Sequence, residues 1–135
     1  KGKFDKSHSD ISFPRWIPGA YGPESVQHAR LQRAVTLDRD AALQSASWGA
    51  FQIMGLNWKD CGFKSLQEFV NAMYASASAQ LDAVVAFIRA SPPMHAAARA
   101  RDWARFARLY NGPGYAQNKY DAKLAAAYKR YGGKA

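Results

Sequence analysis

Two short stretches of this chain hold residues of the kind that meet a ligand rather than fill a core. The first, Ser45-Ala-Ser-Trp-Gly-Ala-Phe-Gln-Ile-Met54, places Ser47, Trp48, Gly49 and Gln52 where the sequence turns from polar to apolar too abruptly for an ordinary helix. Glycine lets backbone come close to a bound molecule, and a primary amide both donates and accepts hydrogen bonds. Trp48 either stacks on a ligand or fills a core, because large aromatic rings do both. The second stretch, Leu109-Tyr-Asn-Gly-Pro-Gly114, sets Tyr110 and Asn111 at a helix end before a turn, from which side chains project into a cleft. Alone, Tyr-Asn-Gly is a weak signal, since Asn-Gly ends many helices.

Acid–base work needs a carboxyl group, and the only glutamates are Glu24 and Glu68. Glu68 closes a capping box, Ser65-Leu-Gln-Glu68. Glu24 stands in a Gly-Pro-Glu-Ser helix start, where free amides and the helix dipole favour the charged carboxylate. A general acid needs the opposite, an apolar pocket that keeps it protonated. None of the eight aspartates stands in either of the two opening stretches.

The elements that must carry these residues read as helical. Residues 1–23, with Phe13-Pro-Arg-Trp-Ile-Pro-Gly19 and Gly22-Pro23, suit an ordered loop. A helix is expected from Pro23-Glu24 through Leu37, then a short turn capped by Asp38 or Asp40 that ends before Trp48. Leu66, Phe69, Val70, Met73 and Tyr74 recur at helical spacing, and Leu81, Val84, Val85 and Ile88 repeat the pattern until Pro92-Pro93 stops it. Asp102 caps a helix whose apolar face is Trp103, Phe106, Ala107 and Tyr110, ended by Gly112-Pro113. A last helix puts Tyr120, Leu124, Tyr128 and Tyr131 on one side and Lys119, Lys123, Lys129 and Arg130 on the other. No stretch alternates long enough for a strand. The expected fold is mainly α, several short helices in one domain over residues 1–135, without internal repeat.

With 135 residues, 48% of them hydrophobic, the chain can bury one core. No apolar run reaches the roughly 18 residues of a membrane span, and the start, Lys-Gly-Lys-Phe-Asp-Lys-Ser-His, has no apolar signal region. A lone Cys61 excludes an internal disulfide and reads as a small buried thiol; His8, His28 and His95 are too scattered for a metal cluster, so neither metal nor cofactor is expected. Nineteen Lys and Arg against ten acids give +9, which attracts polyanions such as nucleic acid, lipopolysaccharide or a negatively charged cell wall. The lack of a helix-turn-helix pattern, an RNP-like aromatic strand or a glycine loop argues against nucleic acid.

Together, the two opening stretches resemble the lysozyme-like superfamily, where a Gly-Leu-Met-Gln type motif is followed some tens of residues later by Ala-Tyr-Asn-Ala-Gly. Gly49-Ala50-Phe51-Gln52 matches the former and Leu109-Tyr110-Asn111-Gly112 the latter. The wording "ASWGAFQIMG", "CGF", "QLDAVVAFI" and "DWARFARLYNGPGYAQNKYDAKLAAAY" is closer still to the phage-type N-acetylmuramidase domains of endolysins, over roughly residues 24 to 131.

The resemblance implies a peptidoglycan hydrolase acting between N-acetylmuramic acid and N-acetylglucosamine on glycan strands, made in a host bacterial cytoplasm and acting in the periplasm or wall, as a monomer. It implies that Gln52 meets sugar hydroxyl and N-acetyl groups, with Ser47 and Trp48 beside the scissile bond. Tyr110 would bond the catalytic carboxylate and Asn111 hold sugar or backbone. The bland alternatives are a core Trp48, a Gln52 amide bonded to backbone, and a Tyr110 whose ring is core. Chicken-type lysozymes carry Ser-x-Asp-Tyr-Gly-x-Leu-Gln-Ile-Asn, and the position of their Asp is Ser47 here. Serine supplies no negative charge, so a single-acid mechanism, as in goose-type lysozymes or lytic transglycosylases, fits better. In the resembled muramidases the catalytic Glu lies in an N-terminal helix well upstream of the Trp-Gly motif, so the acid is expected before Lys1, with Glu24 the one candidate inside the chain. A basic helical nucleic-acid binder and a carbohydrate-binding module without turnover are the alternatives from other classes. The basic last helix would either dock an anionic outer membrane or wall, or pack on its own domain.

Overall fold

The computed structural model describes residues 2–15, 17 and 19–132. Of the N-terminal loop reading, Trp16 and Pro18 lie outside the described residues. The chain folds into α1 (Gln27–Leu37), α2 (Arg39–Ser45), a hairpin of β1 (Ser47–Trp48) and β2 (Ile53–Met54), then α3 (Leu66–Ala75), α4 (Ala77–Ala90), α5 (Pro92–Ala100), α6 (Trp103–Asn111) and α7 (Tyr120–Arg130). The fold is mainly α, as expected.

Local chemistry explains most boundaries. The Asp38 carboxylate accepts from Ala41 N and starts α2, and the Asp102 carboxylate does the same for α6 through Arg105 N. Ser65 Oγ accepts from Glu68 N, while Glu68 reaches back to Lys64 N at 2.9 Å, one residue beyond the usual reciprocal arm of a capping box. The first helix starts later than expected: Glu24–Val26 is a 3-10 turn, and α-helical bonding begins only at Gln27. Pro92-Pro93 does not simply stop α4. Both prolines occupy the first turn of α5, where missing N–H groups cost nothing, and α5 was not foreseen.

The main core joins Leu43, Trp48, Ile53, Cys61, Leu66, Phe69, Val70, Met73, Ala83 and Val84, drawn from α2, the hairpin, the loop after it, α3 and α4. Phe69, fully buried, sits edge-on to Phe63. Each large apolar side chain so buried contributes about 1.5–3 kcal/mol. The buried face of α4 is only partly the expected one. Val84 is buried and Ile88 packs against the core as expected, but Leu81 and Val85 are exposed, and Ala83 turns inward beside Val84. A second cluster, Met94, Ala97 and Phe106, ties α5 to α6, with Leu124 of α7 packed against it. In α7, Tyr128 lies over Trp103 at 5.4 Å between ring centres, so the aromatic side of this helix rests on α6. Tyr131 falls past its end and is 82% exposed.

Ahead of α1, the N-terminal segment is held by Arg30. Its guanidinium donates to the carbonyls of Asp10 and Ile11 and lies over Tyr21 and Phe13. No helix of the described residues is long and apolar enough to cross a membrane.

Candidate active site

The Ser45–Met54 stretch is a β-hairpin. Ser47 pairs with Met54 and Trp48 with Ile53, leaving Gly49–Gln52 as the turn. Two residues per strand are too few for an alternation to show in the sequence. Gly49 has φ +67°, which favours glycine, and Gln52 has φ +54°, unusual for a residue with a side chain.

The hairpin is rooted on the end of α2. The last carbonyls of a helix lack partners within it. Here Trp48 Nε1 donates to Leu43 O at 2.9 Å, and Ser45 Oγ donates to Ala42 O at 2.9 Å. Gly55, directly after β2, lies so close to α2 that a Cβ would come within 2.0 Å of Leu43 O.

Of the two roles left open for Trp48, stacking on a ligand or filling a core, these contacts support the second. Its ring is 7% exposed, it sits edge-on to Tyr74, and its N–H is committed to Leu43. Trp48 is a core residue whose work is to root the hairpin.

The turn itself is gripped from two sides. From α6, Tyr110 Oη donates to Phe51 O at 2.7 Å. From α4, Gln80 Oε1 accepts from Ala50 N at 2.9 Å. Ser47, Ala50, Phe51 and Gln52 face solvent between these two supports. The Gln52 amide is exposed, and its Nε2 donates to Gly49 O at 3.0 Å, so it is shaped by its own turn and not buried. Ser47 Oγ points at Met54 Sδ across the hairpin, at 3.3 Å. Asn111, exposed, is the last residue of α6, next to Tyr110. Gln80, first residue of the QLDAVVAFI stretch, has no role in the sequence reading. Its signal was a long amide beginning an otherwise apolar helical run.

Tyr110 differs from expectation in one respect. Its hydroxyl proton goes to the Phe51 carbonyl, so toward any carboxyl group the oxygen can only accept. The ring stacks on Phe106 and meets Phe87 edge-on. Burial, with the neighbouring Cys61 second, pushes its pKa from 10.0 up to about 12, which keeps the donor protonated. Cys61 is buried, as expected, and burial followed by the Asp60 charge raises it to about 11.

The acid is not found at the turn. Glu24 opens the 3-10 turn ahead of α1 and is exposed, without the apolar enclosure a general acid requires. Glu68 is spent on its cap. Among the described residues, no group of His, Cys, Asp and Glu is placed to hold a metal ion. A concavity of about 380 Å³ lies away from the turn, between the N-terminal segment and the first two helices, walled by Phe4, Ile11, Phe13, Tyr21, Leu37 and Ser45.

A family model described as Muramidase, N-acetylmuramidase, matches residues 1–132. The chain belongs to the N-acetylmuramidase family. Among solved structures, this chain is similar to one titled "Crystal structure of Burkholderia AP3 phage endolysin", at 41% identity and TM-score 0.86, over 94% of this chain and 48% of that one. The chain thus spans about half the length of that endolysin. A search of curated proteins finds no match. Family membership gives the gripped turn its context: the exposed Gln52 and the exposed Asn111 belong to the two motifs that carry the resemblance.

Proposed function

We propose that this chain forms the glycan-binding wall of a peptidoglycan hydrolase that cleaves between N-acetylmuramic acid and N-acetylglucosamine. The observation that carries this reading is the Gly49–Gln52 turn, held outward by Tyr110 and Gln80 in a chain of the N-acetylmuramidase family. Gln52, Ser47, Gly49 and Asn111 line the sugar side. Trp48 and Tyr110 act from behind, one rooting the hairpin and the other fixing its tip.

The reaction is acid-catalysed hydrolysis. A carboxylic acid protonates the glycosidic oxygen, an oxocarbenium-like sugar forms, and water adds at its anomeric carbon. Ser47 stands where a second carboxylate would be and supplies no charge, so one glutamic acid carries the proton transfer. That acid comes from outside these 135 residues, since neither Glu24 nor Glu68 has a suitable setting. No metal or cofactor enters this reading. The partner is the peptidoglycan strand, met in the periplasm or wall by a monomer. The net charge of +9 draws the protein to anionic wall polymers. The aromatic side of α7 rests on α6, which favours α7 as a packed surface helix offering Lys123, Lys129 and Arg130 outward over one that inserts into a membrane.

The test is digestion of purified Gram-negative peptidoglycan by this chain and by the same chain extended at its N-terminus, with released muropeptides weighed by mass spectrometry. Products with a free reducing muramic acid, released only by the extended chain, are expected. Anhydro products, lighter by one water, would make the enzyme a lytic transglycosylase. Release by the short chain would return Glu24 to the role of acid.

A further inference from the structure

Gln80 makes contacts on three sides, two of them at the turn and one at the end of α3. Its Oε1 accepts from Ala50 N at 2.9 Å and its Nε2 donates to Met73 O at 2.7 Å. Met73 is in the last turn of α3, so its carbonyl is one of those a helix leaves without an internal partner. The side-chain amide also lies close against Gly49, where a Cβ would come within 2.9 Å of Gln80 Cδ.

The nitrogen of Ala50 and the oxygen of Gly49 belong to one peptide unit. Gln80 holds the N–H end of that unit. The C=O end accepts from Gln52 twice, from the backbone N at 3.2 Å and from Nε2 at 3.0 Å. A peptide plane is rigid, so fixing one end aims the other. Next to a glycine the plane turns easily unless something holds it, and rotation would carry the acceptor away from Gln52.

We propose that Gln80 is a positioning residue of the glycan site: by fixing the plane of the Gly49–Ala50 peptide it sets the place of the Gln52 side chain. That this side chain faces the glycan rests on the reading given under Proposed function. Gln80 is well suited to the task because the position calls for an acceptor toward Ala50 and a donor toward Met73 at once, which a side-chain amide supplies in one rigid group. Glutamate keeps the first and loses the second, and methionine loses both at similar volume.

The experiment compares Gln80→Met, Gln80→Glu and Gln52→Ala by amide NMR and by titration with an N-acetylglucosamine oligosaccharide. In Gln80→Met the Ala50 amide should exchange about fivefold faster or more, the factor an ordinary hydrogen bond is worth, and the Gln52 side-chain amide signal should move. The oligosaccharide Kd should rise by a similar factor. Gln80→Glu should keep Ala50 protected and most of the affinity, and adding Gln80→Met to Gln52→Ala should cost less than about twofold more, because the two act in series. Unchanged Ala50 and Gln52 signals in Gln80→Met, or fully additive losses of affinity, would overturn the proposal. Should Gln80→Met fail to fold, Gln80→Glu decides, and loss of Ala50 protection in it counts against the proposal. If the unaltered protein binds no oligosaccharide, the glycan reading fails, while the Ala50 and Gln52 signals still decide what Gln80 holds.

Discussion

The hydroxyl of Tyr110 lies 2.7 Å from the carbonyl oxygen of Phe51, joining the end of α6 to a hairpin tip 59 residues earlier. A two-residue-per-strand hairpin has little stability of its own. Its shape therefore depends on what holds it, and the bond from Tyr110 is one of two such supports. Tyr110→Phe keeps the ring packing and removes only this bond, so the protein should lose about 1 kcal/mol in denaturant unfolding. Oligosaccharide affinity should fall severalfold. A Phe variant with unaltered affinity would show that the tip keeps its place without Tyr110.

Trp48 offers a sharp contrast between a structural and a ligand-facing aromatic. Trp48→Phe leaves the Leu43 carbonyl without its partner and opens space in the core, so stability should fall by about 2–4 kcal/mol. Below the unfolding transition, glycan affinity should change little. A stacking platform would give the reverse, lost affinity with stability intact, and denaturant titration beside ligand titration separates the two.

Two glycines flank the hairpin for different reasons. At Gly55 a Cβ meets the Leu43 carbonyl at 2.0 Å, and backbone has nowhere to go. At Gly49 it meets the Gln80 amide at 2.9 Å, which has some freedom, but φ +67° adds about 1–2 kcal/mol of strain for any L side chain. Gly55→Ala should accordingly be the more damaging to folding, with Gly49→Ala destabilised by a few kcal/mol yet folded; thermal unfolding of both, side by side, checks the order.

Alkaline pH should loosen the same region. Cys61 is raised from 9.0 to about 11 and Tyr110 from 10.0 to about 12, both by burial first. In each, the folded protein holds its proton more tightly than the unfolded chain does. The stability each contributes is whole below its unfolded value and is lost as pH rises through the folded one: from pH 9 to 11 for Cys61 and from 10 to 12 for Tyr110. Unfolding midpoints at pH 8 and pH 11 should fall further for the unaltered protein than for Cys61→Ala or Tyr110→Phe. An equal fall in all three would assign the alkaline loss to other groups.

How far the sequence carried these conclusions can be judged from individual residues. Helix starts with their own chemistry, at Asp38, Ser65 and Asp102, were legible because a cap is local. The start of α5 was not, since a proline pair reads as a stop and as a first turn equally well. On the inward side of α4, Val84 and Ile88 follow the spacing, but Leu81 and Val85 do not, because spacing alone favours the larger side chains whereas the helix packing selects Ala83. In the candidate site, the sequence names the motif residues Gly49, Gln52, Tyr110 and Asn111 but not what they touch. The Tyr110–Phe51 and Gln80–Ala50 bonds join residues far apart in sequence, and nothing local announces them. Trp48 was left between two roles because burial is a property of the fold, not of the residue.

The most direct test of the central claim, that a glycan strand lies over the gripped turn, is a titration of this chain, labelled at its backbone amides, with an oligosaccharide of alternating N-acetylglucosamine and N-acetylmuramic acid. The account predicts that the amides that move most are those of Gly49 to Gln52 together with Asn111, while the exposed Lys123, Lys129 and Arg130 of α7 stay in place. Saturable shifts confined to α7, or to the concavity walled by Phe4, Phe13 and Leu37, with the turn unmoved, would contradict it.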